Sequence, residues 1–142
     1  MSLTIAQASA RTGLSIDTLR YYERDGLLLR PVARSATGHR RYDEADLEWV
    51  RLVTCLRATG MPVREVRRYA DLVRAGDGTE QDRLDLLHEH REQVIAQLEQ
   101  VTAHLSAIER KIGLYTEKLH GAETERAGGL DLERAPAGSL AP

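Results

Sequence analysis

The residues best suited to chemistry in this chain lie in one short run, Thr18-Leu19-Arg20-Tyr21-Tyr22-Glu23-Arg24. On a helix, Thr18, Tyr21 and Tyr22 share a face by the i, i+3, i+4 rule, with Arg20 and Arg24 flanking it one turn apart. Leu19 points the other way, toward a core. A surface of hydroxyls, aromatic rings and guanidiniums suits a nucleic-acid groove. Arginine forks onto guanine or phosphate, and tyrosine packs on sugar while its hydroxyl reaches phosphate. The competing reading makes one or both tyrosines half-buried packing residues, Tyr22 more readily than Tyr21. Enzyme chemistry is not expected, because there is no phosphate loop, metal motif or paired nucleophile and base, and no cofactor is expected. Cys55 is the only cysteine, so one chain can form neither a disulfide nor a thiolate metal cage. His88 and His90 are two residues apart on a helix and face different directions, so they do not chelate together.

Charge distribution supports that choice of surface. The net charge of −2 is uninformative until the chain is divided. Residues 1–74 carry 13 Arg against 9 Asp and Glu, a balance of +4; residues 75–142 carry 7 Lys and Arg against 13 Asp and Glu, a balance of −6. A polyanion belongs on the first half. Nearly all the basic residues are Arg, whose planar fork matches phosphates and guanine edges. No apolar run approaches the length of a membrane span and no basic-then-apolar leader opens the chain, so a cytoplasmic protein is expected.

The elements that would position these residues follow from caps and breakers. Thr4 caps a helix from Ile5, with Gln7 completing a capping box, and Gly13 ends it. Ser15 caps a second helix, Ile16 to about Arg24, which Gly26 ends. Two short helices around a Gly-containing turn make a helix-turn-helix pattern. From Leu27 to Tyr42, Pro31 and Gly38 forbid a helix. Leu27–Leu29 and Arg40–Tyr42 are expected to pair as a hairpin, a wing in form. Asp43 caps a third helix to about Thr59, apolar on most sides (Leu47, Trp49, Val50, Leu52, Val53, Cys55, Leu56) and so central to the core. Pro62 opens a fourth helix to about Arg74, with Val63, Val66, Tyr69, Ala70 and Val73 inward.

The most regular pattern follows. Leu84, Arg91, Leu98, Leu105, Ile112 and Leu119 recur every seven residues, and Leu87, Val94, Val101, Ile108 and Tyr115 form the second series. Only Arg91 breaks the apolar seam. Such a heptad argues for a coiled coil, about 60 Å long at the rise of an α-helix. Nothing else in the chain is long enough to cover it, so a second copy is the expected partner. The expected fold is therefore dominated by α-helix: a DNA-binding winged helix-turn-helix domain over residues 1–75, a dimerisation helix over 79–120, and a Gly- and Pro-containing disordered tail over 121–142.

Four motifs in register, Thr18-Leu19-Arg20-Tyr21-Tyr22-Glu23, Gly26-Leu27-Leu28, His39-Arg40-Arg41-Tyr42 and Gly60-Met61-Pro62, closely resemble the MerR family of bacterial transcription regulators over about residues 3–119. The resemblance implies a winged helix-turn-helix and a long helix that dimerises as an antiparallel coiled coil. It implies that Thr18, Arg20 and Tyr21 approach the major groove and that Tyr22 and Arg24 contact backbone or brace the helix. Arg40, Arg41 and Tyr42 would hold phosphates from the wing, although Tyr42 is equally suited to packing, and Arg57 is a further phosphate candidate. It also implies a mechanism: a homodimer on a near-palindromic operator in double-stranded promoter DNA bends and untwists it, with RNA polymerase nearby.

Soft-metal sensors of the family carry cysteines at the start of the dimer helix and in a loop after it; the corresponding places here, near Thr79 and from His120 to Gly129, have none. Cys55 is placed as in the NmlR/AdhR-like, aldehyde- and nitrosative-stress branch of the family. An electrophile could add to its thiolate, with Arg51 and Arg57 near in sequence to lend positive charge; the plainer reading is a small buried hydrophobe. An effector-independent architectural or constitutive DNA-binding regulator is the alternative. A third possibility is a coiled-coil interaction protein whose N-terminal domain binds protein.

Overall fold

A computed structural model describes residues 2–128. Its elements are β1 (Leu3–Thr4), α1 (Ile5–Thr12), α2 (Ile16–Arg24), β2 (Ala33–Arg34), β3 (Arg40–Tyr42), α3 (Glu44–Ala58), α4 (Val63–Ala75) and α5 (Glu80–Gly128). The described chain divides into two compact units between Val94 and Ile95. The first contains everything up to the opening turns of α5.

The helices begin where their caps dictate. Thr4 Oγ1 accepts from the Gln7 amide while Gln7 Oε1 accepts from the Thr4 amide, a complete capping box. Ser15 caps α2 by accepting from the Thr18 amide. Asp43 and Asp46 exchange the same reciprocal pair at α3. These contacts satisfy donors that the first helical turn leaves without partners. Gly13 takes φ 77° to end α1, a conformation that favours glycine. Pro62 stands at the cap of α4, one position before the expected first turn.

The small sheet differs from expectation. Its order is β1-β3-β2, both pairings antiparallel. The partner of Arg40–Tyr42 in the wing is Ala33–Arg34, not Leu27–Leu29, with Ala33 opposite Arg41 and Arg34 opposite Arg40. Leu27 and Leu28 are buried in the core instead, since two leucines gain more by packing than by pairing at an exposed edge. β1, opposite Tyr42 and Arg41, was not anticipated; two residues carry no periodicity to read.

The core of the first unit gathers Ala8, Leu19, Tyr22, Leu27, Leu28, Val32, Tyr42, Leu47, Val50, Val53, Leu56, Met61, Val66 and Leu86. Trp49 and Tyr69 stack at its margin, ring centroids 5.6 Å apart and planes 2° from parallel, and Trp49 Nε1 donates to the Leu27 carbonyl at 2.7 Å. Arg74 on α4 donates to the carbonyls of Gly26, Leu28 and Leu29, holding the segment after α2 against the domain. Leu86 and His90, on the first turns of α5, are buried. His90 Nε2 lies 2.7 Å from Thr59 Oγ1 at the end of α3.

α5 continues to Gly128, eight residues past the expected end of the dimerisation helix at 120. The first eight residues of the expected tail are thus helical, and the rest of that expectation, from 129 onward, falls outside the described residues. No helix among the described residues is long and apolar enough to cross a membrane.

Candidate nucleic-acid interface

α2 has one inward and one outward face. Leu19 and Tyr22 are buried, and the Tyr22 hydroxyl pairs with Thr54 Oγ1 on α3 at 3.1 Å. On the outward side the Arg20 side chain is 52% exposed, and the Arg24 side chain is 72% exposed. Tyr21 is half-buried, and the Arg24 guanidinium lies 5.5 Å from its ring centroid, within cation–π range. The Thr18 hydroxyl shares a hydrogen bond of 2.9 Å with Ser15. Arg20, Tyr21 and Arg24 therefore form one accessible strip.

Tyr22 leaves the expected set of contact residues. It is a core side chain whose hydroxyl is already partnered, and its burial keeps it from phosphate. Tyr42 leaves it for the same reason, being fully buried. Its hydroxyl is the one buried side-chain oxygen among the described residues without a hydrogen-bond partner. Burial, with the nearby Glu23 carboxylate adding to it, pushes the Tyr42 phenol above its ordinary value. Of the two readings open for Tyr42, packing is the one its burial fits.

The wing is tied to α2 through Glu23. Arg40 Nε donates to Glu23 Oε1 at 2.6 Å, and Arg34 lies 3.8 Å from the same carboxylate. Both partners of the shorter pair are largely covered, with side chains 25% and 20% exposed. A carboxylate near the end of α2, followed by an arginine-bearing hairpin, is the sequence signal for this tie. Arg41 is held by Ser2, donating to its carbonyl at 3.0 Å and to its hydroxyl at 3.1 Å. At the hairpin tip, the Gly38 amide donates to the Ser35 carbonyl, and Thr37 Oγ1 pairs with His39 Nδ1 at 2.8 Å. Arg57 donates to the Met61 carbonyl at 2.7 Å, which closes the α3–α4 turn.

Cys55 is exposed, so the buried-hydrophobe reading does not hold. Its face of α3 points away from the core formed by Leu47, Val50, Val53 and Leu56. Its carbonyl accepts from Thr59 Oγ1 at 2.8 Å, the same hydroxyl that reaches His90. Among the described residues no cluster of three or more His, Cys, Asp or Glu could hold a metal ion.

Two family models match. "MerR HTH family regulatory protein" covers residues 3–72 and "MerR, DNA binding" covers residues 47–111. An HTH-type transcriptional regulator of Haemophilus influenzae is 36% identical over 115 residues, 81% of this chain and 84% of that protein. The chain belongs to the MerR family. The regulator AdhR of Bacillus subtilis is 39% identical over 93 residues, which is 66% of each chain. Among solved structures, HiNmlR, described as a MerR family regulator lacking the sensor domain and bound to promoter DNA, is 35% identical with a TM-score of 0.75. The match covers 82% of this chain and 92% of that one. Together these relatives support the NmlR/AdhR-like branch. The protein is a MerR-type DNA-binding transcriptional regulator, in a family that is not enzymatic.

Proposed function

We propose that the protein acts as a homodimer on a near-palindromic promoter operator, deforms it for RNA polymerase, and responds to electrophiles through Cys55. The observation that carries the dimer is the apolar stripe of α5. Leu84, Leu98, Val101, Leu105, Ile108, Ile112, Tyr115 and Leu119 are each 48–68% exposed, and all eight fall on the heptad seam. Leu87 and Val94, on the same seam, are partly covered within the first unit. Burying such side chains yields about 1.5–3 kcal/mol each before the costs of association, enough for a second copy to be the natural occupant. The expected domain division, with its reader in the first unit and its dimerisation helix in α5, rests on this reading.

On this reading Arg20, Tyr21 and Arg24 face the major groove, with Thr18 at its edge. Arg40, Arg41 and Arg57 approach phosphates, each oriented by its present partner. That HiNmlR is described as bound to promoter DNA while lacking a sensor domain supports a regulator that works with no added effector domain. The exposed Cys55 thiol, which the resemblance to the stress branch singles out, would then be the point of electrophile addition. The Thr59 hydroxyl links its turn to α5 through His90, a route from thiol to dimer helix.

Effector independence is favoured by one observation: Arg57 is engaged with the Met61 carbonyl rather than held for the thiol. Wild type and Cys55→Ser are compared for binding to the promoter upstream of the gene and for in vitro transcription, with and without a small aldehyde. Aldehyde-dependent activation that Cys55→Ser abolishes, with DNA binding kept, supports the sensor. Identical behaviour of the two proteins leaves the effector-independent regulator.

A further inference from the structure

Asp17 stands in the first turn of α2, on its outward face, with only a long ion pair to Arg20 engaging its side chain. The Asp17 side chain is 94% exposed. The helix cap is supplied by Ser15 rather than by Asp17. Its nearest charged partner is Arg20, with NH1 3.7 Å from Oδ1, beyond hydrogen-bond distance. Helical spacing puts Asp17 on the strip with Arg20, Tyr21 and Arg24. The other carboxylate of the helix, Glu23, is turned inward to Arg40 and Arg34. Asp17 is thus the one acceptor-only group on a strip of cations and hydroxyls.

We infer that Asp17 is a specificity-determining residue, accepting a hydrogen bond from the exocyclic N4 amine of a cytosine in each half-site. This rests on the reading of α2 as the base-reading helix. The argument is by elimination of the alternatives that chemistry allows. A carboxylate cannot hold a phosphate. Against a duplex it either faces a base-edge donor or is repelled. The major groove offers two donors, cytosine N4 and adenine N6, and because the adenine amine lies beside the N7 acceptor, which repels a carboxylate, cytosine N4 is the one it matches. Arg20, one turn on, would fork onto a neighbouring guanine, and the 3.7 Å approach of the two side chains would keep both within one or two base steps. A favourable charge at the helix N-terminus also suits Asp17, but that role involves no base.

The test is selection of bound duplexes from a library with randomised half-sites, using full-length wild type, Asp17→Ala, Asp17→Asn and Arg20→Ala. Folding of each is checked by circular dichroism. Asp17→Ala is expected to lower the preference for cytosine at one symmetric position about tenfold, the usual scale for one base contact. Binding to unrelated duplex should tighten, because a negative charge has left the interface. Asp17→Asn is expected to shift that position toward adenine, which an amide matches. If Asp17→Ala selects the wild-type sequences and merely binds all duplexes more tightly, while Arg20→Ala alters its own position, the inference is overturned and α2 remains the reader. If neither variant changes the selected sequences, the assignment of α2 as reader falls with it.

Discussion

Tyr42 illustrates how a residue type can point to one role while its place in the fold gives it another. It sits beside Arg40 and Arg41 in the wing, yet it is wholly buried and its hydroxyl lacks a partner among the described residues. An unpaired buried hydroxyl costs about 1–3 kcal/mol, so Tyr42→Phe is expected to raise stability by about 1 kcal/mol in chemical denaturation, with DNA affinity unchanged. A loss of stability instead would mean that the hydroxyl has a partner. The raised phenol also sets an alkaline limit. Its contribution is intact below the ordinary value of 10.0 and is lost as pH rises through the folded value. The alkaline fall in stability should therefore be shallower in Tyr42→Phe. The strip on α2 was legible because residues three and four apart must share a helix face. The fates of Tyr22 and Tyr42 were not, because burial is decided by partners distant in sequence, such as Thr54.

At the scale of the element, the caps were the most readable feature. Thr4, Ser15 and Asp43 each start the helix expected of them, since a cap is a contact over three residues and needs no tertiary information. The Asp43 carboxyl is held below its ordinary value of 3.8, chiefly by the Asp46 backbone amide it caps, with Arg30 assisting. A lowered carboxylate contributes stability that is present above its unfolded value and is lost as pH falls through the folded one. Asp43→Ala is expected to cost about 1 kcal/mol at neutral pH. Asp43→Asn should keep most of the cap and flatten the acid side of the stability profile, read by thermal melts from neutral to pH 3. The wing was only half legible. Turn residues located it, but the choice of Ala33–Arg34 over Leu27–Leu29 as the strand opposite Arg40 was made by the core's demand for leucine, which no local pattern expresses.

At the scale of the whole molecule, the heptad seam was legible from end to end, because its period is a property of sequence alone. What covers it is not written in the period, which specifies an apolar stripe and not its occupant; a second copy is the partner proposed. On the dimer reading, Leu105→Glu combined with Ile108→Glu is expected to give a monomer in sedimentation equilibrium. It should also weaken operator binding by at least tenfold, while the first unit keeps its melting transition. A dimer that survives both charges would place the association elsewhere.

The β1–β3 pairing bears on how the domain assembles in time. Arg41 and its Ser2 partner stand 39 positions apart in sequence, whereas β2 and β3 are joined by a short turn. Local pairings close at small entropic cost and distant ones wait. The hairpin can close locally, while β1 must wait until the chain as far as Tyr42 is present. Replacing Ser2 would therefore leave the closure of the hairpin untouched and act on the later pairing, the one that fixes Arg41 in the wing.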